Sequence, residues 1–348
     1  MKQHTSTNAG LDFTLTEEME MIRTAAREFA EAKIRPQIMK LDEAQEFPAE
    51  IFKAMAGLGF LGTVVPEELG GAGMTTLEFV VIMEEISRVD PSVGLTLAAH
   101  SGLCLEHLLQ FAGEEQRKKY IPDLASGRVV GAWCLTEPSS GSDSGGMQTT
   151  AKREGNSYVI NGSKNFITNG SHASTFVVMA KTDPTKGKSG ITAFIVEKGM
   201  GVAVGKKENK LGMRASDTVQ LIFDGVKVPK ENLIGSEGEG FRQALSVLDS
   251  GRVGIAALSV GLAQGALDAS VKYAKERHQF GKALAEFQGI QFKLAEMATE
   301  LAAARLLTYR SAAAKVKGEP ITLMAAQAKF FASEVAQRAA TEAVQIHG

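Results

Sequence analysis

The feature that most constrains this chain is a double change of hydrophobic period. Up to about residue 127, apolar residues recur at helical spacing. From 128 to about 236 they fall into short strand-like runs, and from 237 the helical spacing returns. Strands that follow one another with no helix between them exclude a doubly wound parallel sheet. The expected fold is therefore α+β: an N-terminal all-helical domain (1–127), a middle antiparallel β domain (128–236) and a C-terminal helical bundle (237–348).

Within the first domain, Thr14 or Thr16 can cap a helix over 17–37, with Ile22, Ala26, Phe29 and Ile34 at helical spacing. A second helix follows Pro48, with Ile51, Phe52, Met55 and Leu58 on one face. A loop over 61–73 precedes helices over 75–89, 93–111 and 114–126, the last with Tyr120 and Ile121 facing in. In the β block, Tyr158-Val159-Ile160 runs into Asn161-Gly162, which signals a hairpin turn. Further strands are expected at 176–180, 191–196 and 219–223, the last meeting Asp224-Gly225. The C-terminal block holds three long helices, over 241–275, 287–315 and 321–346. In the first of these Gly254, Ala257, Gly261, Gly265 and Ala269 permit close packing. Three helices lack the fourth that closes an ordinary bundle, and nothing at 345–348 resembles a finished terminus. The expectation is a chain cut short, with its last helix missing.

Composition enters as a filter. A formal net charge of −2 predicts no phosphate-seeking surface, so nucleic acid is not an expected partner. The two cysteines, Cys104 and Cys134, sit in apolar surroundings and suit reduced thiols of a cytoplasmic protein. No Cys, His and carboxylate cluster has zinc-ligand spacing. The polar stretch 1–12 lacks a signal-peptide core, and the apolar run 254–267 is too short to span a bilayer.

The stretch 133–146, Trp133-Cys134-Leu135-Thr136-Glu137-Pro138-Ser139-Ser140-Gly141-Ser142-Asp143-Ser144-Gly145-Gly146, is the one most suggestive of chemistry. An apolar strand-like lead gives way to small polar residues, whose hydroxyls and close-approaching backbone suit a flat polar heterocycle. A Gly/Ser linker explains the same composition equally well. There is no G-x-G-x-x-G after a strand, no phosphate-loop motif and no G-x-S-x-G elbow.

The loop is one of an ordered set. After it come Asn165-Phe166-Ile167-Thr168-Asn169-Gly170, Leu211-Gly212-Met213-Arg214 and Val228-Pro229 with Asn232-Leu233-Ile234-Gly235. Then follow Leu248-Asp249-Ser250-Gly251-Arg252, Arg277-His278-Gln279-Phe280-Gly281-Lys282, Phe287-Gln288 and Gln345-Ile346-His347-Gly348. In this order, over essentially the whole chain, the set resembles the acyl-CoA dehydrogenase flavoproteins, and most of all their short-chain, butyryl-type members. The resemblance implies FAD as cofactor. Trp133, Cys134, Leu135, Thr136 and Ser142 would line the flavin's pyrimidine edge, with Phe166, Ile167 and Thr168 as the opposite wall. The family often has Trp where this chain has Phe166, and Phe166 and Ile167 also read as strand core. Arg277, Phe280 and Gln288, with Gln345 and Gly348, would reach the diphosphate and adenine end of FAD in a neighbouring subunit of a homo-oligomer, a tetramer by resemblance. A helix C-cap at Arg277 is compatible with that role. Ser142, Asp249, Ser250, Gly251 and Arg252 would contact substrate, although Asp249 and Arg252 also read as an i,i+3 surface ion pair.

The implied reaction is α,β-dehydrogenation of an acyl-CoA to the trans-2-enoyl-CoA, with electrons passed to an electron-transfer flavoprotein. The catalytic base would be a desolvated Glu with a raised pKa. In one branch of the family it lies past the Gln-Ile-His-Gly motif. In another it sits at the position of Gly251, which has no side chain for the task. The catalytic residue is therefore unassigned and expected beyond Gly348, and little turnover is expected of these 348 residues. The competing expectations are an acyl-CoA oxidase and a flavin-holding scaffold without catalysis.

Overall fold

The computed structural model describes residues 14–348; the stretch 1–12, in which no signal peptide is read, lies outside the described residues. The N-terminal domain is helical. Helix α1 (Glu17–Phe29) starts at Thr16, whose hydroxyl accepts the Met19 N–H, so Thr16 and not Thr14 is the cap. The chain then winds through a π turn and a short 3₁₀ turn at Pro36 into α2 (Ile38–Ala44), where Gln45 in the left-handed conformation ends it. Helix α3 (Ala49–Gly57) buries Ile51, Phe52 and Met55, but Leu58 caps its end and stays exposed. Helix α4 (Thr76–Val89) has a full capping box from Thr75 and Glu78. Helix α5 (Pro91–Ala99), a π-helical stretch (His100–Leu105) and α6 (Glu106–Phe111) form one continuous rod capped by Asp90. Helix α7 (Glu114–Ala125) turns Tyr120 and Ile121 inward.

The middle domain holds β1 (Val130–Cys134), β2 (Thr150–Glu154), β3 (Ser157–Thr168), β4 (Ala173–Lys181), β5 (Ile191–Glu197), β6 (Ala203–Lys207), β7 (Thr218–Pro229) and β8 (Leu233–Ile234). They form one sheet in the order β6-β7-β3-β2-β4-β5-β8, with β1 laid parallel on β4. The pairings are antiparallel except for β1 on β4 and a single parallel contact of β2 with β4.

The Asn161-Gly162 pair corrects the sequence reading. It is no hairpin turn: β3 runs straight through it, and the turn lies at Gly155-Asn156, where Glu154 pairs with Ser157. Gly162 instead sits in a bulge against β7, with room for no side chain, because a Cβ there would stand 2.4 Å from the Thr149 hydroxyl. Gly225 is the answering position on β7, at φ +64 with its N–H donated to Asn161 Oδ1 at 2.8 Å. Two dipeptides that look like turns are thus the two halves of one bulge.

The C-terminal domain comprises α8 (Gly240–Glu276), a small hairpin of β9 (His278–Gln279) and β10 (Lys282–Ala283), α9 (Gln288–Val316) and α10 (Thr322–His347). The three helices pack on one another as the expected bundle, and α4 of the first domain also lies along α8. The glycines of α8 make that approach possible: a Cβ at Gly261 would meet the Glu84 carbonyl at 2.3 Å, and one at Gly265 the Arg88 carbonyl at 2.2 Å. Helix α4 therefore packs closely along the bundle. By length and composition α8 could cross a bilayer, contrary to the shorter apolar run read from sequence, but it packs between α4, α9 and α10.

Candidate active site

The loop after β1 is fixed from β3 by two successive residues. Lys164, with no exposed surface, places its ammonium 3.0 Å from the Leu135 carbonyl and 2.8 Å from Glu137 Oε1. Asn165 donates its backbone N–H to the Thr136 carbonyl at 2.8 Å. The Glu137 carboxylate also accepts the backbone N–H groups of Gln148 and Thr149. Burial opposes a charged Glu137, but Lys164 and these N–H donors outweigh it and hold its carboxyl below the usual range. Beyond Asn165 the strand bulges. Phe166 takes φ +57, a conformation uncommon for a bulky side chain, and is 61% exposed. Ile167 returns to the core, and Thr168 is half-buried beside it.

The outcome is a shelf of unused donors. Among the described residues the Thr136 N–H and the hydroxyls of Thr136, Thr168 and Ser142 have no hydrogen-bond partner, and one acceptor, the buried Asn165 Oδ1, has none either. Trp133, Cys134 and Leu135, which lead into the loop, are buried, and Ser142 is exposed six residues after Thr136. This donor set fits the hydrogen-bonding edge of a flavin beside an outward-facing aromatic ring.

Behind the loop stands a relay that the sequence did not disclose. Trp133 Nε1–H donates to His107 Nδ1 at 3.1 Å, His107 Nε2 lies 3.1 Å from Gln243 Oε1, and Gln243 Nε2 donates to the Ile234 carbonyl at 3.1 Å. The bonds fix the proton on Nε2. Burial pushes His107 down to about 4, so the ring is neutral. The relay ties the loop to the first turn of α8.

About two turns further along α8 lie Asp249, Ser250, Gly251 and Arg252, all half-buried. Arg252 pairs with Asp249, as the i,i+3 reading expects, and the Thr322 hydroxyl donates to Asp249 at 2.5 Å. Gly251 faces Leu103, with a Cβ there only 2.9 Å from Leu103 Cδ2. No hydrogen bond or ion pair joins 249–252 to Ser142 among the described residues.

The remaining residues gather elsewhere. Arg277 caps α8 through its N–H to the Tyr273 carbonyl at 2.8 Å, and its guanidinium has no ion-pair partner among the described residues. Phe280 and Gly281 form the turn of the β9–β10 hairpin at φ +52 and +81, and Phe280 is 94% exposed. Gln288 is exposed at the start of α9. The stacking of His347 on Tyr273, ring centroids 4.4 Å apart, brings Gln345 and Gly348 to the same end. A free arginine and a ring held out in a strained turn fit a dinucleotide's diphosphate and adenine. Yet this cluster is about 50 Å along α8 from the Trp133 relay at 1.5 Å per residue. One chain cannot present both clusters to one FAD.

Comparison with known proteins identifies this arrangement. Residues 16–128, 132–226 and 238–348 match the models of the N-terminal, middle and C-terminal domains of acyl-CoA dehydrogenases. The chain belongs to the acyl-CoA dehydrogenase family. It is 48% identical over 339 residues to the short-chain specific acyl-CoA dehydrogenase of Clostridium acetobutylicum, covering 97% of this chain and 89% of that one. It is 45% identical to subunit CarC of the caffeyl-CoA reductase–Etf complex of Acetobacterium woodii, covering 96% of this chain and 88% of that one. Butyryl-CoA dehydrogenase from Megasphaera elsdenii superposes with a TM-score of 0.95 at 43% identity, over 97% of this chain and 90% of the other. The family is one of FAD-dependent flavoprotein oxidoreductases. The C-terminal family domain is present, and the expectation of a truncated chain draws no support from it.

Proposed function

We propose that this protein is a short-chain acyl-CoA dehydrogenase that forms the trans-2-enoyl-CoA and passes electrons to an electron-transfer flavoprotein. The observation that carries the reading is the shelf of unpartnered donors at Thr136 and Thr168, held rigid from β3. FAD, when bound, supplies the acceptor for the hydrogen leaving Cβ of the thioester. The chain's own work is to orient and polarise: Thr136, Thr168 and Ser142 hold the flavin edge, Trp133, Cys134 and Leu135 exclude water behind it, and Phe166 and Ile167 form the facing wall. Asp249, Ser250, Gly251 and Arg252 border the acyl-thioester site at the same end of α8. The butyryl-type relatives support a short acyl chain, and the Etf-linked relative supports the acceptor.

The second cluster, Arg277, Phe280, Gln288, Gln345 and Gly348, serves the FAD of another subunit in this reading, because the length of α8 keeps it from its own. A homo-oligomer, tetrameric by analogy with the family, follows. Exposed Phe292, Leu323, Phe330 and Val344 on α9 and α10 give the bundle an apolar outer face suited to it. The three structural blocks act as domains over 1–127, 128–236 and 237–348, in a cytoplasmic enzyme.

Among the described residues no buried carboxylate bordering the site is free to act as the base, and Asp143 in the loop stands exposed to water, not desolvated. Glu137 is bound to Lys164, Asp249 to Arg252 and Thr322, and Glu106 to Lys315 and Gln110. The 348 residues are therefore expected to hold FAD while turning over slowly. Reconstitution with FAD, followed by butyryl-CoA and a dye acceptor, tests both halves. Bound flavin with negligible dye reduction is the expected result; near-normal turnover overturns the argument that these residues lack a base, and failure to bind FAD overturns the site. Reoxidation of reduced flavin by air within seconds would favour an acyl-CoA oxidase instead.

A further inference from the structure

Among the described residues Lys164 is the largest wholly buried polar side chain, and neither the flavin edge nor the substrate region uses it directly. A buried ammonium is costly and persists only where its partners are well placed. Its placement is specific. Besides its Glu137 partner it donates to one backbone carbonyl, that of Leu135, at 3.0 Å, with Met147 Sδ 3.9 Å away. That carbonyl belongs to the peptide unit whose other end is the Thr136 N–H, the donor left without an acceptor among the described residues. The next carbonyl, that of Thr136, is held by the Asn165 N–H at 2.8 Å, so the peptide can neither flip nor slide.

A charged donor on a carbonyl draws electron density through the amide and makes its N–H a stronger donor; hydrogen bonds in series reinforce one another at low dielectric. We infer that Lys164 is a positioning residue that tunes the bound flavin, strengthening the Thr136 N–H through the Leu135–Thr136 peptide and so favouring the more negatively charged reduced cofactor over the oxidised one. This inference rests on the proposed flavin site. Glu137 has the complementary task. It neutralises Lys164 in the apolar interior and aims it, through bonds to the Gln148 and Thr149 N–H groups that fix the carboxylate itself. Burial draws the Lys164 ammonium downward and the Glu137 carboxylate draws it back up, which makes the pair interdependent.

Removing one member alone leaves the other charged and buried, so the test replaces both. Glu137→Gln/Lys164→Gln keeps a neutral donor within reach of Leu135; Glu137→Gln/Lys164→Met has none. Each is reconstituted with FAD, and its reduction potential is measured against a reference dye, beside wild type. The expected order is wild type highest, the double Gln variant next and the Met variant lowest. Wild type and Met variant should differ about tenfold in the reduction equilibrium, or about 30 mV for a two-electron couple. Equal potentials in wild type and the double Gln variant, or a reversed order, would overturn the inference while leaving the flavin site intact. If the Met variant holds no flavin, the comparison of wild type with the double Gln variant decides. If wild type itself binds no FAD, the flavin site fails and this inference with it.

Discussion

Two buried imidazoles should make this fold acid-sensitive well above the range where carboxylates titrate. His100 and His107 have no exposed surface. Each accepts a donor at Nδ1, from the Gly131 N–H at 2.9 Å and from Trp133 Nε1–H at 3.1 Å respectively. Each then uses its Nε2 proton, toward the Leu124 carbonyl at 3.0 Å and Gln243 Oε1 at 3.1 Å. A second proton would turn the accepting nitrogen against a donor. Burial pushes both rings from 6.5 down to about 4. With the folded value below the unfolded one, the unfolded chain takes up protons first as pH falls. The stability is fully present above pH 6.5 and is lost progressively until the folded value of about 4 is passed. Each histidine should cost about 2 kcal/mol at pH 5 relative to neutral pH, from the difference in proton uptake between the two states. Urea unfolding of wild type and of His107→Gln, each at pH 7.5 and pH 5, isolates the effect, because the carboxylate contributions cancel between the two proteins. Wild type should lose about 2 kcal/mol more than the variant over that interval. Equal losses would show that His107 is already protonated in the fold, or solvated, and would refute the tautomer and burial argument.

Other outcomes follow from packing and charge. Gly265→Ala puts a methyl against the Arg88 carbonyl, 2.2 Å from the ideal Cβ, and should lower stability by about 2 kcal/mol by forcing α8 off α4, read as a fall in the thermal midpoint. Arg305→Met removes the guanidinium that gives Glu84 bonds of 2.9 and 2.7 Å. It leaves that buried carboxylate with only Tyr309 and should cost about 3 kcal/mol in denaturant unfolding. Phe280→Gly relieves the left-handed strain at φ +52 and should leave the thermal midpoint unchanged or raised, while weakening FAD retention on gel filtration.

The helical blocks were legible because their apolar spacing is strong and their caps are explicit: Thr16, Thr75 with Glu78, and Asp90 each hold the N–H groups that open a helix. The glycine pattern of α8 announced close packing, though not that α4 would be the neighbour, since a contact between residues 84 and 261 leaves no trace in local sequence. Asn161-Gly162 misled because the same backbone freedom serves a turn and a bulge, and only the pairing of β3 with β7 chooses between them. In the candidate site, the residues of the loop and of 165–168 were legible as motifs, and the structure brings them together. Lys164 could have been found from alternation, since it falls on the inward face of β3 with Tyr158 and Ile160. His107 and Gln243 could not, because one histidine on a helix carries no pattern and its partner is 136 residues away.

In the proposed site the hydroxyls of Thr136 and Thr168 grip the flavin. An FAD titration of wild type and of Thr136→Val/Thr168→Val, followed by flavin fluorescence and visible absorption, addresses this grip directly. Wild type should bind one FAD per chain and, with two hydrogen bonds of about 1 kcal/mol each removed, the variant should bind it about 20–30-fold more weakly, with both proteins folded. Equal affinities in the two proteins would contradict that grip.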